Sequence, residues 1–161
     1  MITQTVMRAG AVFNLPAQPR FVPSVHLRVD TSDRALVKIS AVTGCRDILA
    51  FRVEEPTTAV TIAVKVLDED WLDRQILGEL GEAKAETTFS MLWALLAKQG
   101  HGQRGVLLVD FGANVFYVRA KGELWSVSAR WNDDAGGWDI TGAVARSASA
   151  WSAGSQVFSL N

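Results

Sequence analysis

An α+β fold is what this sequence predicts: a single domain over residues 1–161, with a largely antiparallel sheet and two central helices packed on one face. Three observations point there. Two-residue apolar alternation dominates the stretch before residue 67 and the stretch after residue 113. A sustained helical pattern is confined to residues 67–99 between them. The connections between the strand-like runs are short, which favours antiparallel neighbours. No internal repeat and no low-complexity linker divides the chain.

Residues 1–23 read as an extended N-terminal arm. Pro16, Pro19 and Pro23 fall within eight positions, and proline both lacks an amide donor and biases its predecessor toward extended backbone. From Ser24 the alternation begins, with Val25, Leu27 and Val29 on one side and His26 and Arg28 on the other. DTSDR is a turn, 35–42 a second strand, TGCRD a turn, and 48–53 a third strand closed by Pro56. The run 59–66 alternates most clearly, with Val60, Ile62, Val64 and Val66 on one face.

The helical centre divides in two. In 68–80, Leu72, Ile76 and Leu80 recur at four-residue steps and make one apolar stripe. Asp68, Glu69 and Asp70 crowd its start, where the helix dipole favours negative charge. Gly81 suits its end. The second helix, 86–99, is different. At about 100° per residue, its bulky side chains from Met91 and Leu95 round to Phe89 and Trp93 cover an arc of about 200°, twice the usual core stripe. Such a helix needs cover on more than one side.

Residues 106–109 form a short apolar run, read as a strand ending at Asp110. A meander follows. Residues 114–120 turn at Lys121-Gly122 into 123–131, and the loop NDDAGG leads into 138–144. Pairing about these turns puts Phe116, Val118, Trp125, Val127, Ala129, Trp131, Trp138 and Ile140 on one face. Tyr117, Arg119, Ser126, Ser128, Arg130, Asp139 and Thr141 fall on the other. RSASAWSAGSQ has loop character, and 156–160 reads as a last, edge strand.

Composition bounds the function. Hydrophobic residues make up 48% and charged residues 20%, a globular balance. Sixteen basic against seventeen acidic residues give a net charge of −1, which supplies no overall attraction to phosphate backbones or anionic lipid. No nucleic-acid or membrane partner is expected. The N-terminal stretch lacks the positive start and unbroken apolar core of a signal peptide, and no run approaches the ~20 apolar residues that span a bilayer. A cytoplasmic, soluble protein is the expectation. Cys45 is the sole cysteine, so neither an intramolecular disulfide nor a multi-cysteine metal site can form. His26 and His101 share no ligand spacing with carboxylates. No metal or cofactor is expected.

Three places hold candidate chemistry. Trp125, Trp131 and Trp138 converge on one face, with Gly142 leaving space beside them, and aromatic walls bind flat or sugar-like ligands. The same face would serve equally as the floor of the core. On the opposite face, the planar forks of Arg119 and Arg130 suit a carboxylate or phosphate, while Asp139 is placed to neutralise Arg130. Asp110 lies at a strand end, where acid–base groups are common in α/β sheets, though a turn explains it as well. No phosphate loop, dinucleotide fingerprint or nucleophile elbow occurs.

These features favour a small, soluble, non-catalytic interaction or binding protein that is homo-oligomeric, with Phe89, Met91 and Leu95 at the interface. The alternative is a small-molecule-binding protein or enzyme. Its pocket would lie between the C-terminal meander and the helices, walled by Trp125, Trp131 and Trp138 with Arg119 or Arg130 at the rim.

Overall fold

The computed structural model describes residues 6–146 and 149–161. The chain is mixed α/β, 19% helix and 41% strand, so the sheet rather than the helices sets the frame. Its strands are β1 (Met7–Leu15), β2 (Ile39–Thr43), β3 (Val60–Leu67), β4 (Trp71–Leu72), β5 (Glu86–Thr87), β6 (Asn114–Ala120), β7 (Glu123–Asn132), β8 (Gly137–Val144), β9 (Ala150–Trp151) and β10 (Gln156–Leu160). Its helices are α1 (Pro23–His26), α2 (Arg46–Leu49), α3 (Asp73–Leu80), α4 (Glu82–Ala85) and α5 (Phe89–Lys98).

The main sheet runs β1-β3-β10-β6-β7-β8-β2, with β5 also paired to β6. Most ladders are antiparallel; β10 with β6, β5 with β6, and β2 with β8 are parallel. A separate ribbon pairs β4 with β9.

The meander pairs in the expected register. Phe116 faces Val127, Val118 faces Trp125, Ala129 faces Ile140 and Trp131 faces Trp138. Lys121-Gly122 makes its first turn, both in the left-handed region, at φ 52° and 79°, as a type I′ hairpin requires. The apolar side of this register forms one core with Ile62, Val64, Phe158 and the buried side chains of α5. The opposite side carries a second, smaller core in which Val115, Tyr117 and Val157 meet Ile76, Leu77 and Leu80.

The helices therefore lie on opposite faces of the sheet, not on one. The reason is local. Between α4 and α5 the chain enters the sheet layer as β5, whose Thr87 hydroxyl also donates to Tyr117 O at 2.9 Å. α3 and α4, just before that crossing, pack into the smaller core, and α5 emerges on the other side, where α1 and α2 also lie.

Five further expectations change. Residues 7–15 of the arm form β1, because β3 has an open edge that this stretch pairs along its length. A bulge between Ala9 and Val12 interrupts the ladder, the kind of irregularity that blunts an exposed edge. The alternating stretch from Ser24 is not a strand: Pro23 opens the turn α1, and Leu27 N–H donates to Pro23 O at 2.8 Å. Proline's fixed φ is preorganised for a first helical turn. Residues 46–49 likewise form α2, and 106–109 stay outside any strand. Finally, β10 matches its expected bounds but lies inside the sheet, flanked by β3 and β6. No helix among the described residues is long and apolar enough to cross a membrane.

Candidate functional site

The polar side of the meander holds the most chemically loaded cavity. The β4–β9 ribbon sets Trp71 opposite Trp151 and places the start of α3 over β6. Gln75 Oε1 accepts from the Leu72 N–H at 2.9 Å, closing the first turn. The first residue of α3 is Asp73, a carboxylate only 2% exposed. Its Oδ1 accepts two hydrogen bonds, from the Tyr117 hydroxyl at 2.6 Å and the Trp151 indole N–H at 2.7 Å. Both bonds end on the same oxygen. Among the described residues no donor reaches Oδ2.

Burial holds the Asp73 carboxyl above the ordinary carboxylate range, against the opposing pull of the two donors. Burial, reinforced by the adjoining carboxylate, also raises the Tyr117 phenol, so Tyr117 remains a hydrogen-bond donor. A desolvated acid with specific partners at the wall of a cleft marks a candidate site.

The cavity beside Asp73 measures about 270 Å³ and is lined by Asp73, Ser126, Arg130, Thr141 and Trp151 among others. Ser126 Oγ donates to Ala143 O at 3.3 Å. Arg130 is exposed, and one of its nitrogens donates to Phe111 O at 3.3 Å. Arg130 and Asp139 are register partners, but the Asp139 carboxylate accepts from Ser40 and Asn132 instead. Arg130 makes no ion pair among the described residues. Its charge is left to the cavity mouth.

The other candidates are dispersed. Arg119 pairs with Glu86 at 2.7 Å. Trp138 is fully buried, its indole N–H donating to Gln99 O at 3.0 Å, and Trp131 donates to Asp133 at 2.7 Å while meeting Trp138 edge-on. Trp125 packs at the margin of the same core with its indole nitrogen unpartnered. These three rings are the floor beneath α5, and Cys45 occupies the space beside Gly142, where an added Cβ would lie 2.5 Å from the Cys45 Cβ. Burial pushes the Cys45 thiol up to about 11.

Phe89, Met91 and Leu95 are buried at 0%, 5% and 1% exposure within the single chain. Their own sheet, α1 and the 106–109 segment cover them, so these three side chains are covered within the chain. Asp110 makes a turn, accepting from the Gly112 N–H at 3.3 Å. His26 stacks on Phe21 at a centroid distance of 4.8 Å and lies tilted against Trp93 at 5.0 Å. Of the acidic cluster, Asp68 pairs with Arg8 and Asp70 accepts from the Ala153 N–H.

The polar-face residues Tyr117, Ser126, Arg130 and Thr141 do gather, and Arg119 and Asp139 do not join them. Sequence reading missed Asp73 and Trp151. A signal existed: Asp73 shares a helix face with Ile76 and Leu77, three and four positions on, so a carboxylate stands inside an apolar stripe. Trp151 is likewise the one bulky side chain in a small, polar run.

No family model, curated protein or solved structure matches this chain. The chemistry of the cavity is read from its own residues.

Proposed function

We propose that the protein is a small-molecule-binding protein, with its ligand in the cavity between α3, β7 and β8. The ligand carries an anionic group for Arg130 and a hydroxyl or amine that donates to Asp73 Oδ2. The observation that carries this reading is Asp73 itself: a buried carboxyl whose two donors converge on Oδ1 while its residue lines a cavity. At about 270 Å³ the space lies just under the ~300–1,000 Å³ of drug-sized pockets, which fits a metabolite-sized hydroxy acid, amino acid or sugar acid. Against a homo-oligomeric interaction protein stands the burial of Phe89, Met91 and Leu95 within one chain.

Thermal-shift screening of hydroxy acids, amino acids and sugar acids tests the reading, followed by calorimetry on any hit. A true ligand should stabilise the wild type and lose about tenfold or more in affinity in Arg130→Ala, the value of a charge-assisted hydrogen bond. Hits that bind Arg130→Ala and Asp73→Asn as tightly as wild type would place the ligand elsewhere and sink the proposal.

A further inference from the structure

A second concavity lies on the far side of the molecule's chemistry, between α1 and α2, and does not depend on Asp73. It is the larger of the two, about 370 Å³. Leu27, Val42 and Leu49 form its recessed floor, each under 8% exposed, and Val29 stands at its wall with 57% of its surface in solvent. Two guanidinium groups, Arg28 and Arg46, also line it.

Asp30 lies near enough to Arg28 for the two charges to attract, but no salt bridge joins them. The acid nearest Arg28 in sequence, Asp30, uses Oδ1 to accept from the Ser32 N–H at 3.0 Å. Arg46 donates through Nε to Val42 O at 3.3 Å, which leaves its terminal nitrogens to other partners. Among the described residues neither makes an ion pair. In a chain of net charge −1, two guanidinium groups outside any salt bridge beside an apolar floor are a local arrangement, complementary to an anion with a hydrocarbon tail.

We propose that this groove binds a free, unbranched carboxylate of medium chain length, its headgroup on Arg28 and Arg46 and its tail on Leu27, Val42 and Leu49. The recessed floor is the reason to choose a free molecule over a bilayer. A membrane surface lies against protruding side chains and does not enter a concavity, whereas a single alkyl chain does.

Calorimetric titration of the full chain with hexanoate, octanoate and decanoate tests this. Affinity should rise about fourfold for each added methylene until the floor is covered, the equivalent of ~0.8 kcal/mol per buried CH₂. Acetate, without a tail, and decanol, without a charge, should each bind at least tenfold more weakly than decanoate. Arg28→Gln and Arg46→Gln should each weaken decanoate about tenfold and leave decanol unchanged. Val29→Ser, a surface change that leaves the buried floor intact, should weaken all three carboxylates several-fold, with the thermal melt confirming the fold. Asp73→Asn should leave every one of these affinities unchanged, which separates this site from the cavity under α3. Affinity independent of chain length would overturn the proposal. So would full binding by the double arginine variant, or binding confined to anionic vesicles or an acidic peptide with no competition from free decanoate.

Discussion

Asp73 concentrates the residue-scale consequences. It stabilises the fold through the two donors it satisfies and strains it through the desolvation of its charge. Asp73→Ala leaves the Tyr117 hydroxyl and the Trp151 N–H without their acceptor, and should lower stability by about 2–6 kcal/mol in urea unfolding, at ~1–3 kcal/mol per orphaned buried group. Asp73→Asn keeps an oxygen at the same place and removes the charge, so it should fold well. The pH dependence follows from the direction of the shift. Because burial raises the native carboxyl above its ordinary 3.8, the native state holds a proton that the unfolded chain has already released in the window between the two values. The native state thus binds more protons there, and stability falls as pH rises through that window. Above it the penalty is fully present; below 3.8 it is absent. Urea melts of wild type and Asp73→Asn across mildly acidic to neutral pH should show the wild type losing stability relative to Asn as pH rises. Parallel curves would contradict the assignment. The two residues that make this site were the hardest to see in the sequence. A carboxylate in an apolar stripe and a tryptophan in a polar loop each look anomalous alone, and nothing local says that they meet.

At the scale of elements, α5 shows how a helix with an over-wide apolar arc is satisfied inside one chain. Its amino end is held by Glu54, whose carboxylate is 7% exposed and accepts from the Phe89 and Ser90 N–H groups at 3.0 and 2.8 Å. Arg52 pairs with the same carboxylate at 3.2 Å and stacks over the Phe89 ring. Thr88 accepts from the Met91 N–H at 3.2 Å. Together they satisfy three of the donors that a helix start leaves open. Glu54→Ala should cost about 2–3 kcal/mol, a fall of roughly 5–10 °C in Tm for a chain of this size. Glu54→Gln, which keeps one acceptor oxygen, should cost less. A calorimetric scan in which both variants match the wild type would show that solvent replaces the cap freely. The hydrophobic density of α5 was plain in the sequence. Its cap was not, because Glu54 lies 35 positions away and reaches the helix through the tertiary fold.

For the whole molecule, the decisive placement is that of β10. It zips β3, and through it β1, onto the β6-β7-β8 meander. Phe158 is fully buried there and stacks on Phe116 with centroids 4.6 Å apart. Phe158→Ala should cost about 3–5 kcal/mol, as for other buried aromatics cut to alanine. Deleting residues 156–161 should do more: with the central strand gone, the two sides of the sheet share no ladder, and cooperative unfolding should be lost. Retention of a single sharp urea transition in the truncated chain would show that the two sides dock without β10.

Sequence alone determined the meander. Its register, its Lys121-Gly122 turn and its division into tryptophan and polar faces all follow from period-two patterning and turn chemistry, which act between neighbours. It also determined that α5 needs cover on several sides. The tertiary structure decided the rest. It put α3 and α5 on opposite faces by threading β5 through the sheet, drew residues 7–15 into an open edge, and set β10 in the interior. It also brought Asp73, Tyr117 and Trp151 to one point. Each of these depends on which distant surfaces remain unsatisfied once local structure has formed, and that sum is made over the whole chain.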